Sequence, residues 1–545
     1  MRYFCYLLLS LVIFSCNTTP IYDTVLKNAT LYDGTGKTAY AADVAISADT
    51  IAAISKPNTL FGINEIDLNG LALAPGFINM LSWANVSLLE DGRSQSDIRQ
   101  GVTLEVMGEG RSMGPLNETM KKEMQENQGD IKFAVEWTSL GEYLQHLEDV
   151  GVSTNVTSFV GNGTLRQHVI GYENRPATNE EIAKMKKLTK QAMDEGAVGI
   201  SSSLLYAPSM YASTEELVEL AKVAGESDGM YISHIRNEGD RLLESIDELI
   251  QISKEADLPA EVYHLKASSK ANWGKLDAAI AKIDSARNIG LPITADMYTY
   301  NASSTGLHVQ LPDWVRDGGI AAMLERLENT NNRKKAIHEL EFRNSPETIL
   351  LVGFRSEPLR KYVGKYLTEV AEEWNKSPEE TLVDLIIQDG SRIQVVYFSM
   401  SEENIKKKMA LPWVSYCSDA GSFTNEGVFI KQSTHPRSYG SFIRVLGKFS
   451  RDEGVISLEE GIRKLTSLPA ENLKLKKRGK IEPGYFADIV VFAPEKVTDK
   501  ATFTNPHQYA EGVVHVFVNG EQVLKDGEHT GLTPGRFVKG PGYKK

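Results

Sequence analysis

The chain has 545 residues and a composition ordinary for soluble proteins. A formal net charge of −13, without any basic patch, argues against a nucleic-acid partner and favours solubility. The length is ample for a large core, and suits one such core with attachments rather than strictly three domains.

The first twenty residues differ from the rest. Met1-Arg2 gives a positive start, and Tyr6 to Phe14 is almost wholly apolar but too short to span a bilayer as a helix. The run ends in Val12-Ile13-Phe14-Ser15-Cys16, followed by polar Asn17-Thr18-Thr19-Pro20. This segment, residues 1–16, resembles a bacterial lipoprotein signal. The resemblance implies cleavage before Cys16, lipidation of its thiol and an exported protein anchored to a periplasmic or outer-membrane surface. An ordinary signal peptide or an uncleaved anchor is the alternative. Cysteine occurs only at Cys5, Cys16 and Cys417, so there is no disulfide framework.

An all-β stretch follows: Tyr22 to Leu31, Val44 to Ile46, Ile51 to Ile54 and Glu65 to Leu68, with turn residues at Asp33-Gly34-Thr35-Gly36 and Asn69-Gly70. A similar stretch returns at Ala487 to Phe492 and Val513 to Gly520. The two ends, 21–72 and 480–545, are expected to pair into one small β-sandwich. Between them strands alternate with amphipathic helical segments. Strands are predicted at Leu71–Met80, Val102–Gly108, Asn155–Gly161, Val198–Leu204, Met230–His234, Glu261–His264, Pro292–Tyr298 and Trp413–Asp419. Eight such units over 73–479 predict an α/β fold, the (β/α)8 TIM-like barrel. The gap between the seventh and eighth strands is too long for a loop. It predicts an insertion at about 305–400, with helices at Ile320–Phe342 and Thr368–Asn375 and strands at Thr348–Phe354 and Arg392–Met400.

The fifth strand ends in His234 and the sixth in His264, with a helix-patterned segment, Arg241 to Asp257, between them. A strand, helix and strand of that length form a βαβ unit, whose parallel strands put both imidazoles at one carboxyl-end face. Two neutral imidazoles meeting there suit zinc. Each histidine is equally readable, taken singly, as a packed or hydrogen-bonded residue.

Several motifs occur in a fixed order. They are Leu73-Ala74-Pro75-Gly76-Phe77-Ile78, Ser233-His234-Ile235-Arg236-Asn237-Glu238, Tyr263-His264-Leu265-Lys266-Ala267, Ser418-Asp419, His435-Pro436-Arg437 and Ile481 to Val490. Together they resemble the amidohydrolase superfamily, and within it the D-aminoacylase (N-acyl-D-amino-acid deacylase) branch. One departure is large. Most of the superfamily carries a His-x-His pair after Pro-Gly-Phe-Ile, whereas Leu81 and Trp83 stand at those places here, and no histidine precedes His146. Neither side chain can ligate a metal.

The resemblance implies a zinc held by one ligand after strand two and two histidines. Cysteine is usual at the first position; Glu109, in Gly108-Glu109-Gly110, stands there here. Glu109, His234 and His264 would give one zinc per chain three protein ligands and leave a fourth position open, the pattern of a catalytic site. A solvated loop carboxylate is the plainer reading of Glu109. Asp419 matches the family's general base and acid, and is otherwise a helix N-cap. Cys417, two residues earlier, faces the same way and reads as a small core residue. Arg437 matches the carboxylate-binding arginine; Lys266, Tyr206, Tyr298, Ser303 and Ser304 are further substrate-pocket candidates. Surface charges and packed tyrosines are the plainer alternatives, while Arg236 and Asn237 read as braces of the loop after strand five. The function implied is a zinc-dependent hydrolase of linear amides, acting on small N-acyl amino acids or peptides, with D selectivity implied by the family likeness alone. A dipeptidase, a cyclic-amide hydrolase and a non-catalytic membrane-anchored binding protein are the alternatives.

Overall fold

A computed structural model describes residues 21–544. The signal-like segment and its Cys16 lie outside the described residues. Among those described, no helix is long and apolar enough to cross a membrane.

The architecture is α/β and is built around eight parallel strands, numbered β1 to β8 in chain order. These are β1 (Phe77–Asn79), β2 (Val102–Met107), β3 (Asn155–Ser158, continued at Val160–Gly161), β4 (Gly199–Ser203), β5 (Met230–His234), β6 (Ala260–Val262), β7 (Ile293–Met297) and β8 (Val414–Tyr416). Each pairs in parallel with the next. Beyond the strand ends, the Met80 amide donates to the Tyr416 carbonyl at 3.3 Å and the Asp419 amide to the Leu81 carbonyl at 2.9 Å. The last strand therefore lies beside the first.

Side-chain alternation explains the layers. Ile78, Leu104, Val106, Phe159, Met230, Ile232, Tyr263, Tyr298 and Cys417 form one inner cluster. Met107, Val156, Ile200, Tyr231, Val262, Ala295 and Tyr416, out of phase with these, pack outward with the helices. The helices carry matching stripes. Leu242–Ala256, between β5 and β6, buries Leu242, Ile246, Leu249, Ile252 and Ala256 at helical spacing. Asn179–Glu195 is set by a Thr178/Glu181 capping box and stopped by Gly196 in the left-handed region.

The two chain ends meet in one nine-stranded sheet, continuous in its hydrogen bonds. The junction is Ala72–Pro75, which pairs in parallel with Ile21–Leu31 and antiparallel with Ile489–Phe492. The expected single strand over Leu71–Met80 thus breaks at Gly76, where a Cβ would lie 2.1 Å from Thr103 Oγ1. Its first half serves this sheet and its second half is β1. Strand Ile489–Phe492 is buried on both faces: Ile489 and Val491 join the terminal sheet's core, Val490 and Phe492 the outer cluster of the parallel strands.

Between β7 and β8 stands a body with its own core, including Leu307, Leu351, Val383, Val395 and Tyr397. Its sheet orders Ser303–Gly306, Gln394–Tyr397 and Ile349–Gly353. The single helix expected over Ile320–Phe342 is two, Gly319–Glu328 and Thr330–Glu339. Asn329 separates them with an extended backbone, and its side chain accepts from the amides of Asn331 and Asn332.

Candidate active site

The site gathers at the carboxyl ends of the parallel strands. His234 is the last residue of β5, and His264 follows β6 with φ of 36°. Its amide donates to Asp296 Oδ1 at 2.7 Å. Asp419 follows β8 with φ of 49°. A positive φ in a non-glycine residue costs about 1–3 kcal/mol and persists where surrounding structure enforces it; such residues cluster at functional sites. Glu109 follows β2 on a loop pressed against its neighbours: a Cβ on Gly108 would lie 2.3 Å from the Phe159 carbonyl oxygen.

Three buried donor atoms converge. His234 Nδ1 lies 2.9 Å from Glu109 Oε1 and 3.0 Å from His264 Nε2, and His264 Nε2 lies 3.2 Å from Glu109 Oε1. Tetrahedral zinc with bonds of about 2.0–2.1 Å would space its ligand atoms by about 3.3 Å. A single proton can bridge only one edge of such a triangle, whereas a dication satisfies all three atoms. Two imidazole nitrogens and a carboxylate oxygen also match the donor types zinc takes. The residues therefore fit a metal.

The far side of His264 is fixed as well. Its Nδ1 lies 2.7 Å from Lys266 Nζ and 3.1 Å from Glu238 Oε1, and Lys266 Nζ donates to Glu238 Oε1 at 2.6 Å. Burial opposes ionisation of Glu238, but the charges of Lys266 and the two histidines hold its carboxyl well below the usual range. Burial also opposes the ionised form of Glu109, and the hydrogen bonds of His234 and His264 overcome it, lowering that carboxyl. On His234, Nε2 is buried without a hydrogen-bond partner among the described residues.

Asp419 faces the same space. Its Oδ2 lies 2.7 Å from Arg437 Nη1, and its Oδ1 accepts from Trp83 Nε1 at 3.2 Å. Burial pushes its carboxyl upward against the opposing pull of Arg437 and His264. The Trp83 indole also donates to Glu109 Oε2 at 3.0 Å, although the residue is 40% exposed. Leu81 is fully buried in the inner cluster and offers no ligand.

Arg437 opens the helix Arg437–Arg444, with its Cζ 4.6 Å from the Tyr298 ring centroid. Its amide donates to His435 Nδ1 at 3.0 Å, which fixes the start of that helix. Its Nε is buried without a partner among the described residues. Lys266 Nζ lies 5.7 Å from the same Tyr298 ring. Tyr206 packs edge-on to His234 at 5.3 Å, with its hydroxyl 2.7 Å from that of Thr305. The two serines sit differently: Ser303 Oγ is 3.2 Å from Ser399 Oγ, and Ser304 Oγ donates to the Val395 carbonyl at 2.8 Å, so both hydroxyls are engaged by the inserted body. The Ser304 carbonyl is what faces Arg437, accepting from Nη2 at 3.4 Å. Arg236 braces the β5 loop through Glu248 and the carbonyls of Met210 and Ala212.

Two contributors escaped the sequence reading. Glu238 closes the Ser233–Glu238 run, four positions after His234, and a carboxylate there is the one available signal. Trp83 was read only as a lost ligand, while its N–H joins two carboxylates.

Comparison with known proteins supplies the relationship. A model of the amidohydrolase family matches residues 433–524. A D-aminoacylase of Alcaligenes xylosoxydans xylosoxydans is 31% identical over 532 residues, covering 95% of this chain and 97% of that protein. A solved D-aminoacylase, whose binuclear metal centre is described by one-metal activation and second-metal attenuation, superposes with a TM-score of 0.79 at 31% identity. It is covered completely, by 95% of this chain. An N-acyl-D-glutamate deacylase of Bordetella bronchiseptica, solved with zinc and a phosphonate that mimics the tetrahedral intermediate, gives the same TM-score and coverage at 28% identity. The chain belongs to the D-aminoacylase branch of the amidohydrolases, hydrolases of carbon–nitrogen bonds other than peptide bonds.

Proposed function

We propose that the protein hydrolyses the linear amide of N-acyl-D-amino acids, releasing a carboxylate and a free amino acid, with one zinc per chain. The observation that carries this reading is the buried triangle of Glu109, His234 and His264, with Asp419 and Arg437 beside it. The D-series names of the relatives support the handedness, and the one-metal activation described for the solved D-aminoacylase supports the single zinc.

Glu109 Oε1, His234 Nδ1 and His264 Nε2 would hold the metal, which when bound supplies Lewis acidity toward the amide carbonyl and lowers the pKa of water. Asp419, with its raised carboxyl, takes one proton from the attacking water. The water oxygen adds to the amide carbon. As the C–N bond breaks, Asp419 returns the proton to the leaving nitrogen. Glu238 keeps the imidazole of His264 oriented through Nδ1. The free edge of Arg437, at its unpartnered Nε, suits the substrate carboxylate through two parallel hydrogen bonds, with Tyr298 stacked against the guanidinium. Lys266 and Tyr206 border the same space, and Ser303 and Ser304 line its insertion side.

The same reading takes β1 to β8 as a closed (β/α)8 barrel over 73–479 with the terminal sheet as its companion, supported by the Met80–Tyr416 hydrogen bond. It takes residues 1–16 as an export signal lipidated at Cys16. The test loads the protein with zinc and offers matched N-acetyl-D- and N-acetyl-L-amino acids, with and without chelator. Chelator-sensitive release from the D series alone is expected. Release from the L series alone would overturn the handedness, and no release from either with zinc bound would overturn the substrate class.

A further inference from the structure

The indole of Trp83 is held where two carboxylates converge. Glu109 Oε2 and Asp419 Oδ1 both take its single N–H, at 3.0 and 3.2 Å. Their other oxygens are committed: Glu109 Oε1 to the two histidines, Asp419 Oδ2 to Arg437. Two carboxylates aimed at one point repel unless a cation or a donor lies between them. A shared metal ion is one solution, with oxygens at about 2.0–2.2 Å. An N–H donor is the other, and it occupies the same point. Indole nitrogen only donates, so it cannot become a ligand.

The backbone keeps the ring there. The Trp83 amide donates to the Ala420 carbonyl at 2.9 Å, and Ser82 bridges Ala420 in parallel. The segment after β1 is thus stitched to the segment carrying Asp419. Leu81, two residues earlier, turns its side chain into the inner cluster and brings no donor atom to the centre.

We infer that the Trp83 N–H stands in the place of a second cation in a centre built for one metal, and that Trp83 is a positioning residue that aims Asp419. This rests on the zinc-hydrolase reading above. It makes the carboxylate pair self-sufficient: Asp419 is oriented from one side by Trp83 and from the other by Arg437, with no second ion.

The test counts zinc per chain after saturation and desalting, and measures turnover, in three proteins. The native chain is expected to retain one zinc. Trp83→Phe, at a site exposed enough to accept the change, should also retain one. Its kcat should nevertheless fall about 10–100-fold, as for other groups that orient a metal site, with KM within about threefold. The double variant Leu81→His with Trp83→His should retain two. A native chain with two zinc ions, a folded double variant that stays at one, or Trp83→Phe with unchanged kcat would each overturn the inference while leaving the hydrolase reading standing. A native chain that binds no zinc would instead remove the parent reading, and this one with it.

Discussion

Arg437 holds Asp419: its Nη1 lies 2.7 Å from Asp419 Oδ2, with both side chains nearly removed from solvent. The cation proposed to receive the substrate carboxylate therefore also neutralises the proposed base. Arg437→Lys keeps the charge but loses the planar fork. It should raise KM for N-acyl amino acids by about 10–100-fold, the worth of a charge-assisted hydrogen bond. A carboxamide analogue separates the two duties of Arg437: an equal KM effect on it would show that Arg437 does not hold the carboxylate.

Asp419→Asn preserves shape and the Trp83 contact but removes proton acceptance. Turnover should drop by about 10²–10⁴-fold with the zinc content unchanged. Near-normal turnover in a metal-loaded variant would take Asp419 out of the proton transfer.

Glu238→Gln addresses the far side of His264. The carboxylate contacts both His264 Nδ1 and Lys266 Nζ, and the amide would leave Lys266 without its buried counter-charge. Zinc affinity, measured by competition with a chelating dye, should weaken about 10–100-fold. An unchanged affinity would reduce Glu238 to a partner of Lys266 alone.

Lys464 gives a pH prediction remote from the site. It is fully buried on the helix Leu458–Leu465, its Nζ donating to the Met409 carbonyl and lying 5.1 Å from the Tyr416 ring centroid. Burial lowers its pKa to about 7. An unfolded lysine titrates near about 10.4. Between those values the unfolded chain binds the extra proton, so stability rises with pH across that window, and the cost of burial is complete below about 7. Lys464→Met removes the titration. The variant should gain melting temperature at pH 6 and lose most of that gain by pH 10; an equal gain at both would show that charge burial is not the cause.

Much of this was legible in the sequence because period-two alternation exposes strands and strand ends expose chemistry. His234 and His264 sit at such ends, so their convergence followed from a βαβ unit alone. Glu109 and Asp419 needed family likeness, since nothing local distinguishes either from a loop carboxylate or a cap. What the sequence hid was contact across distance. The Trp83 indole reaches a partner 26 residues on and another 336 residues on. Neither separation leaves a local pattern. Gly76 lay inside one predicted strand, Leu71–Met80, because its split of that apolar run between two sheets depends on Thr103 packing against it. The hydroxyls of Ser303 and Ser304 turned into a sheet whose first strand, Ser303–Gly306, has too little apolar alternation to announce itself.

The strand Ile489–Phe492, buried on both faces, ties the order of assembly to the direction of synthesis. Its neighbour Ala72–Pro75 is made more than four hundred residues earlier. Until the later strand emerges, Leu73 and Ala74 have no antiparallel partner, and the outer faces of the first parallel strands lack Val490 and Phe492 as cover. Contacts this distant close slowly and at a high entropic cost. The terminal sheet and the parallel strands should therefore lock together as one cooperative unit only after nearly the whole chain is available. A nascent chain would travel unlocked until then, and a chain truncated before Ile489 would expose both hydrophobic faces at once.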